Sequence, residues 1–186
     1  MTARLIVLGS LLRRKQAHGY QIMQDVRDWE ADQWSGLKPG SIYHALTQLQ
    51  KQGFVRAKST ESSALGPKKT RFVLTPSGTD YFESLCLKSL ESTDLKIFAA
   101  GLAFMHLIPR DKVLLALQTA QQQHTDYYNY ISSLQPSALL DDPSQNPELM
   151  ALWAVHHYQA AVHVAGIMQR LQKDKYEAPA LNTIQV

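Results

Sequence analysis

Most of what would mark this chain as an enzyme, a secreted protein or a membrane protein is missing from its 186 residues. It has a single cysteine, Cys86, so no disulfide can form within the chain. A lone cysteine suits a reducing cytoplasm, and Cys86 reads as a small buried apolar residue more readily than as a redox switch. No leading segment has the form of a signal peptide, since the apolar Leu5 to Leu12 is short and Arg13, Arg14 and Lys15 follow it. The longest apolar run, from Leu95 to Ile108, contains Lys96 and His106 and stops at Pro109. It falls short of the roughly 20 residues a bilayer requires and reads as a buried core helix. There is no GxSxG elbow, no phosphate-binding glycine loop, no GxGxxG fingerprint and no HExxH pair. No repeat or low-complexity tract is present, and a hydrophobic content of 45% is ample for a core, so disorder is not expected.

The stretch that says most is residues 38–53, KPGSIYHALTQLQKQG. Ile42, Ala45, Leu46 and Leu49 recur at the spacing of a buried helical stripe. Ser41, His44, Gln48 and Lys51 form a compact polar stripe on the other side. Pro39 suits the first turn, where its missing N–H has no intrahelical partner, and Gly53 suits a left-handed residue just past the end. A major groove admits a capped helix of this kind, although such a face can also be simply solvated. Two periodic segments precede it, one with Leu5, Leu8, Gly9 and Leu12 and one with Ile22, Val26 and Trp29. Phe54 to Lys58 and Lys69 to Leu74 read as strands, the second alternating Thr70, Phe72 and Leu74 inward with Arg71 and Val73. The intervening SSALGPKK is a loose turn that leads into Lys68, Lys69 and Arg71. Three helices and a basic hairpin predict a mainly α protein with a winged helix-turn-helix and a small β-hairpin wing.

The formal charge of +3 hides an asymmetry. Residues 1–78 carry 12 Lys and Arg against 5 Asp and Glu, a net of +7, whereas residues 79–186 carry a net of −4. A polyanion is the expected partner of the first part. The acidic residues Asp25, Asp28, Glu30 and Asp32 on the second helix would repel phosphate, and the docking requires them to point away.

Leu8, Gly9 and Leu12, then His18-Gly19-Tyr20 and Ile22, then Gly40-Ser41-Ile42-Tyr43 with Leu46, Leu49 and Gly53-Phe54-Val55, then Phe72, Leu74, Thr75 and Gly78 follow one another in order. In this succession the chain resembles the PadR family of bacterial transcriptional regulators over roughly residues 3–80. The resemblance implies a homodimer that binds double-stranded DNA as a repressor or activator, and the cytoplasm is its expected location. It also implies C-terminal helices that dimerise and, in some members, answer a small-molecule effector. No cofactor, metal or membrane belongs to that picture, and no enzyme activity is expected.

The expected boundary lies at Gly78, giving residues 1–78 to DNA binding and residues 79–186 to a long-helix dimerisation and effector part. Thr75 can cap a helix opened by Pro76, running through Tyr81 and Leu85. Pro109 opens a long helix in which Leu114, Leu117, Gln121, His124, Tyr128, Ile131 and Gln135 trace a heptad seam. A loop is expected from Gln135 to Asn146, and Pro147 starts a last helix striped by Leu149, Trp153, His156, Ala160, His163, Ile167 and Leu171. Such a seam can close within one chain or between two. Use between chains is expected, with Leu117, Tyr128, Ile131, Trp153, Ile167 and Leu171 at the interface.

In the docked state Ser41, His44 and Gln48 are expected near base edges, with Lys38 and Tyr43 on phosphates. Lys68, Lys69 and Arg71 are expected to track phosphates or the minor groove, a solvated hairpin being the alternative. The resemblance places Tyr20 against the DNA backbone, while the residue pattern equally allows a core tyrosine. Two other classes stay open. His106, His124, His156, His157 and His163 raise a metal-dependent enzyme, but His156 and His163 stand two turns apart, too far to share an ion. The hairpin can also serve as a protein-docking surface without DNA. Tyr127, Tyr128, Tyr130 and Trp153 can line an aromatic pocket, though packing is the plainer reading of their spacing.

Overall fold

In the computed structural model, residues 1–63, 66–134 and 147–173 are described. They form two compact units, one within residues 1–109 and one within 110–173. The first contains α1 (Thr2–Arg14), β1 (Ala17–His18), α2 (Gly19–Asp28), α3 (Ala31–Ser35), α4 (Pro39–Lys51), β2 (Val55–Ser63), β3 (Gly66–Leu74), α5 (Pro76–Leu90) and α6 (Leu95–Phe104), with a 3-10 turn at Met105–Leu107. The second contains α7 (Arg110–Ser133) and α8 (Pro147–Lys173). The chain is mainly helical, with a small antiparallel sheet ordered β1-β3-β2. The boundary expected at Gly78 falls in the first turn of α5, inside the first unit.

Helix α1 is the centre of the first unit. Leu5 through Leu12 are buried without interruption, because α1 meets α2, α4, α5, α6 and β3 on all sides. Gly9 allows α6 to approach, since a Cβ there would lie 2.3 Å from the Phe104 ring. Trp29, expected in the core, is only half buried. Its indole meets Phe104 edge-on at 5.6 Å, and the Arg13 guanidinium lies 4.7 Å from its ring centroid. With Trp34 and Leu102 these residues line an open cleft of about 560 Å³.

The acidic residues of α2 behave differently from a surface patch. Asp25 is buried, and its carboxylate accepts from the Ser10 hydroxyl and the Arg14 guanidinium, the Arg14 Nε contact being 2.8 Å. Burial pushes the Asp25 carboxyl up, but the hydrogen bonds from Arg14 and Ser10 outweigh it and leave its pKa lowered. Asp25 therefore clamps α1 to α2, while Asp28 is exposed and accepts from Gln24. Glu30, in the left-handed region at φ 49°, turns the chain into α3, a five-residue helix too short for sequence periodicity to reveal.

Helix α4 begins at Pro39 as its sequence predicts, and Gly53 closes it at φ 78°. The Phe54 N–H donates to the Leu49 carbonyl at 3.0 Å, the six-to-one bond of a glycine-ended helix. Thr75 then caps α5, accepting from the Gly78 N–H at 3.1 Å and donating to the Gly53 carbonyl at 2.7 Å. The two elements flanking the hairpin are thereby tied together.

The hairpin itself differs from expectation in two ways. Its strands extend to Ser63 and restart at Gly66, beyond the predicted Lys58 and Lys69, because cross-strand backbone pairing from Thr60↔Thr70 to Ser63↔Gly66 holds polar residues in register. At its base Val73 and Leu74 are both buried, so the expected alternation is lost where the sheet is covered on two faces. The two-residue β1 went unforeseen; it pairs Ala17 with Phe72 and His18 with Arg71.

In the second unit, α7 and α8 form an antiparallel pair closed by one seam. Leu117, His124 and Ile131 on α7 face Ala154, His157, Ala161, Val164 and Leu171 on α8. Of the stripe predicted for α7, Leu117, His124 and Ile131 are buried and Leu114, Gln121 and Tyr128 are half buried, while Val113, Ala116 and Ala120 widen the buried face; Gln135 and the expected Gln135–Asn146 loop lie outside the described residues. On α8 the buried stripe runs about one position later than predicted, and Leu149, Trp153, His156 and His163 are exposed.

Candidate nucleic-acid interface

The outward face of α4 is set by what its inward face buries. Ile42, Ala45, Leu46 and Leu49 are at most 5% exposed. At about 100° per residue the opposite side of the helix is centred on positions 40, 44, 47 and 51. Gly40, Tyr43, His44, Thr47, Gln50 and Lys51 are accordingly exposed. Of the residues predicted to read bases, His44 is central, whereas Ser41 and Gln48 sit half buried on the flank. The Ser41 hydroxyl donates to the Lys38 carbonyl, in the helix's own first turn. Thr47 was missed, although the phase of the apolar stripe points directly to it; its hydroxyl donates to the Tyr43 carbonyl at 3.0 Å and keeps an acceptor lone pair outward.

Near the start of α4, Gly40 has open space where a Cβ would lie, so the first turn is bare. The exposed Lys38 precedes it. The Tyr43 ring lies over Gly19, where a Cβ would come within 3.1 Å of it. This brings the exposed Tyr43 beside the start of α2, which carries Tyr20, 51% exposed. Tyr20 is therefore a surface residue and not a core tyrosine.

Wing and helix meet at His18. Its Nδ1 lies 3.0 Å from the Thr70 carbonyl of β3, and its ring stacks on Tyr20 with centroids 5.5 Å apart and planes 11° from parallel. The His18 backbone N–H donates to the Gln21 side chain at 2.8 Å, which caps α2. Arg71 follows Thr70 in β3 and is half buried. Lys68 and Lys69 lie in β3 with side chains outside the described residues. Arg56 and Lys58 on β2 are exposed cations that the strand pattern alone did not single out.

Among the residues expected at a dimer interface, Leu117, Ile131 and Leu171 are buried in the α7–α8 seam of their own chain. Tyr128 and Ile167 are half buried, and Trp153 is 54% exposed. The histidines do not converge on an ion: among the described residues no group of three or more His, Cys, Asp or Glu could hold a metal. His124 and His157 instead form a buried pair, Nδ1 to Nδ1 at 3.0 Å, flanked by Tyr127 and Trp153. Tyr128 turns to Tyr158 in a separate groove of about 470 Å³, so Tyr127, Tyr128, Tyr130 and Trp153 do not line one pocket. Among the described residues no helix is long and apolar enough to cross a membrane.

A three-stranded sheet with a wing, behind an exposed helix that follows a helical turn, defines the first unit as a winged helix-turn-helix. Residues 7–84 match the transcriptional regulator PadR-like family. Among solved structures it is similar to Bacillus subtilis PadR in complex with operator DNA, at 17% identity over 90% of this chain and 98% of that one, with a TM-score of 0.39. It is likewise similar to smu.1604c from Streptococcus mutans UA159, at 18% identity over 91% of this chain and 99% of that one, with a TM-score of 0.40. No curated protein matches it.

Proposed function

We propose that this protein is a homodimeric regulator of transcription that binds paired half-sites in duplex DNA in the bacterial cytoplasm, through α4 in the major groove and the wing on the backbone. The observation that carries the reading is the face of α4. Tyr43, His44, Thr47 and Lys51 are exposed together on a helix whose other face is buried and whose end is closed by Gly53, in a chain whose first 78 residues carry a net charge of +7. His44, Thr47 and Gln48 would meet base edges, and Ser41 would contribute from the flank. Lys38, Tyr43 and Tyr20 would meet phosphate, as would Lys68, Lys69 and Arg71 of the wing. The proposed division of labour gives residues 1–78 to DNA and the later helices to pairing.

The dimer reading is supported by α8, whose Leu152, Trp153, Val155, Tyr158 and Val162 are each at least 45% exposed. An isolated chain rarely leaves so much apolar surface in water. Repression is the proposed sign, because a dimer on a promoter blocks polymerase with no further contact, whereas activation needs one. A small-molecule effector would act by binding one arrangement of the dimer better than another.

Electrophoretic shifts on genomic fragments and on random duplex, at several salt concentrations, test this directly. Binding that weakens steeply with salt and prefers a fragment with two half-sites about 34 Å apart is the expected result. Absence of binding at low salt would exclude DNA as the partner and return the hairpin to the role of a protein-docking surface.

A further inference from the structure

His18 is buried, 6% exposed, yet its imidazole touches two surface elements that the DNA-binding reading assigns to phosphate. On one edge Nδ1 faces the Thr70 carbonyl, which can only accept, so Nδ1 is the donor of this bond. This bond spans 52 residues of sequence and joins the entry to α2 to the central strand of the wing. The backbone ladder beside it is short, only Ala17↔Phe72 and His18↔Arg71, so one side-chain bond is a large share of what fixes β3 to α2. On its flat side the imidazole stacks on Tyr20, whose phenol is otherwise on the surface. A stacked ring is held to few rotamers, and a donor already in place loses less freedom when it meets its acceptor.

We propose that His18 is a positioning residue for DNA binding, which tethers the wing strand through Thr70 and orients Tyr20 through its ring, so that both engage phosphate in a fixed register. The inference rests on the DNA-binding reading above. Two substitutions separate its two contacts. In His18→Asn the side-chain amide nitrogen takes the place of Nδ1 and still donates to Thr70, while the ring is gone. In His18→Phe the ring stays and the donor is absent.

The experiment measures affinity of the full-length protein for random duplex across salt, with Tyr20→Phe introduced into the parent and into each variant. His18→Phe should make the slope of log affinity against log salt shallower by about 0.9 for each phosphate that the wing no longer neutralises, and His18→Asn should restore the parental slope. Tyr20→Phe should weaken the parent by roughly threefold to tenfold, the worth of one net hydrogen bond. The same change should cost less than about twofold in His18→Asn and its full amount in His18→Phe. If His18→Phe fails to fold, the cycle between His18→Asn and Tyr20→Phe decides alone. Identical salt slopes in the two His18 variants, an equal cost of Tyr20→Phe in every background, or a lowered thermal midpoint with unchanged binding would each overturn the proposal. A parent that does not bind duplex would overturn the DNA-binding reading with it, whereas a parent that binds while the variants fail to separate overturns this inference only.

Discussion

Gly78 shows how little freedom a single position has where α5 leaves the wing. A Cβ built there would lie 2.0 Å from the Phe54 carbonyl oxygen, which itself accepts the Thr75 N–H at 3.1 Å. The obstacle is backbone, held on one side by the end of α4 and on the other by the cap of α5, so it cannot swing aside as a side chain would. Gly78→Ala should therefore destabilise the first unit by about 1–3 kcal/mol or more, the usual cost of overpacking. A thermal melt checks this, and a midpoint equal to the parent's would mean that the α4–α5 junction yields. Asp25 is the opposite case, a residue whose role no sequence pattern discloses. Its place among acidic neighbours suggested an exposed patch, but its partner Arg14 sits on another helix, and a carboxylate clamped between helices is recognisable only once their packing is known.

At the scale of elements, the phase of a helix was legible wherever one face is apolar and the other is not. In α4 the buried positions follow from Ile42, Ala45, Leu46 and Leu49, and the outward face is displaced from the predicted polar stripe because the half-buried flanks at Ser41 and Gln48 are polar too. In α8 the reading failed for a physical reason: the helix is apolar on two faces, and only one meets α7. Strand β1 has two residues and no pattern to read. The seam between α7 and α8 also carries its own pH dependence. Burial and then the His157 and His156 imidazoles lower the pKa of His124, and burial and then His156 lower that of His157. The unfolded imidazoles titrate near 6.5, so as pH falls below about that value the unfolded chain takes up protons first. Stability is then complete above about pH 6.5 and declines below it until the folded-state pKa values are passed, by at most about 1.4 kcal/mol per pH unit for each histidine. Urea unfolding followed from about pH 7.5 to about pH 5.5 should show the midpoint falling, and His157→Gln should flatten the dependence by removing one of the two groups. A midpoint that rises on acidification would contradict the buried neutral pair.

For the whole molecule, the two apolar faces of α8 imply two kinds of failure. The face with Ala154, Ala161, Val164 and Leu171 is closed against α7 within the chain, where Leu117 is fully buried. Leu117→Ala should behave as a core truncation and destabilise by about 2–5 kcal/mol. The face with Leu152 and Trp153, 65% and 54% exposed, stays largely open to solvent. Leu152→Glu should leave the fold intact, since the new carboxylate stays in water unless a second chain covers it, but a covering chain would have to bury that charge. Sedimentation should then report a monomer in place of the proposed dimer, with a circular dichroism spectrum like the parent's. DNA binding should suffer although residue 152 lies far along the sequence from α4, because pairing brings the second reading helix to its half-site at high effective concentration. Its loss should weaken operator affinity by roughly 10²–10⁴. If Leu152→Glu remains dimeric with undiminished operator affinity while Leu117→Ala dissociates, the α7–α8 seam opens between chains in solution, and the exposed face of α8 has some other partner.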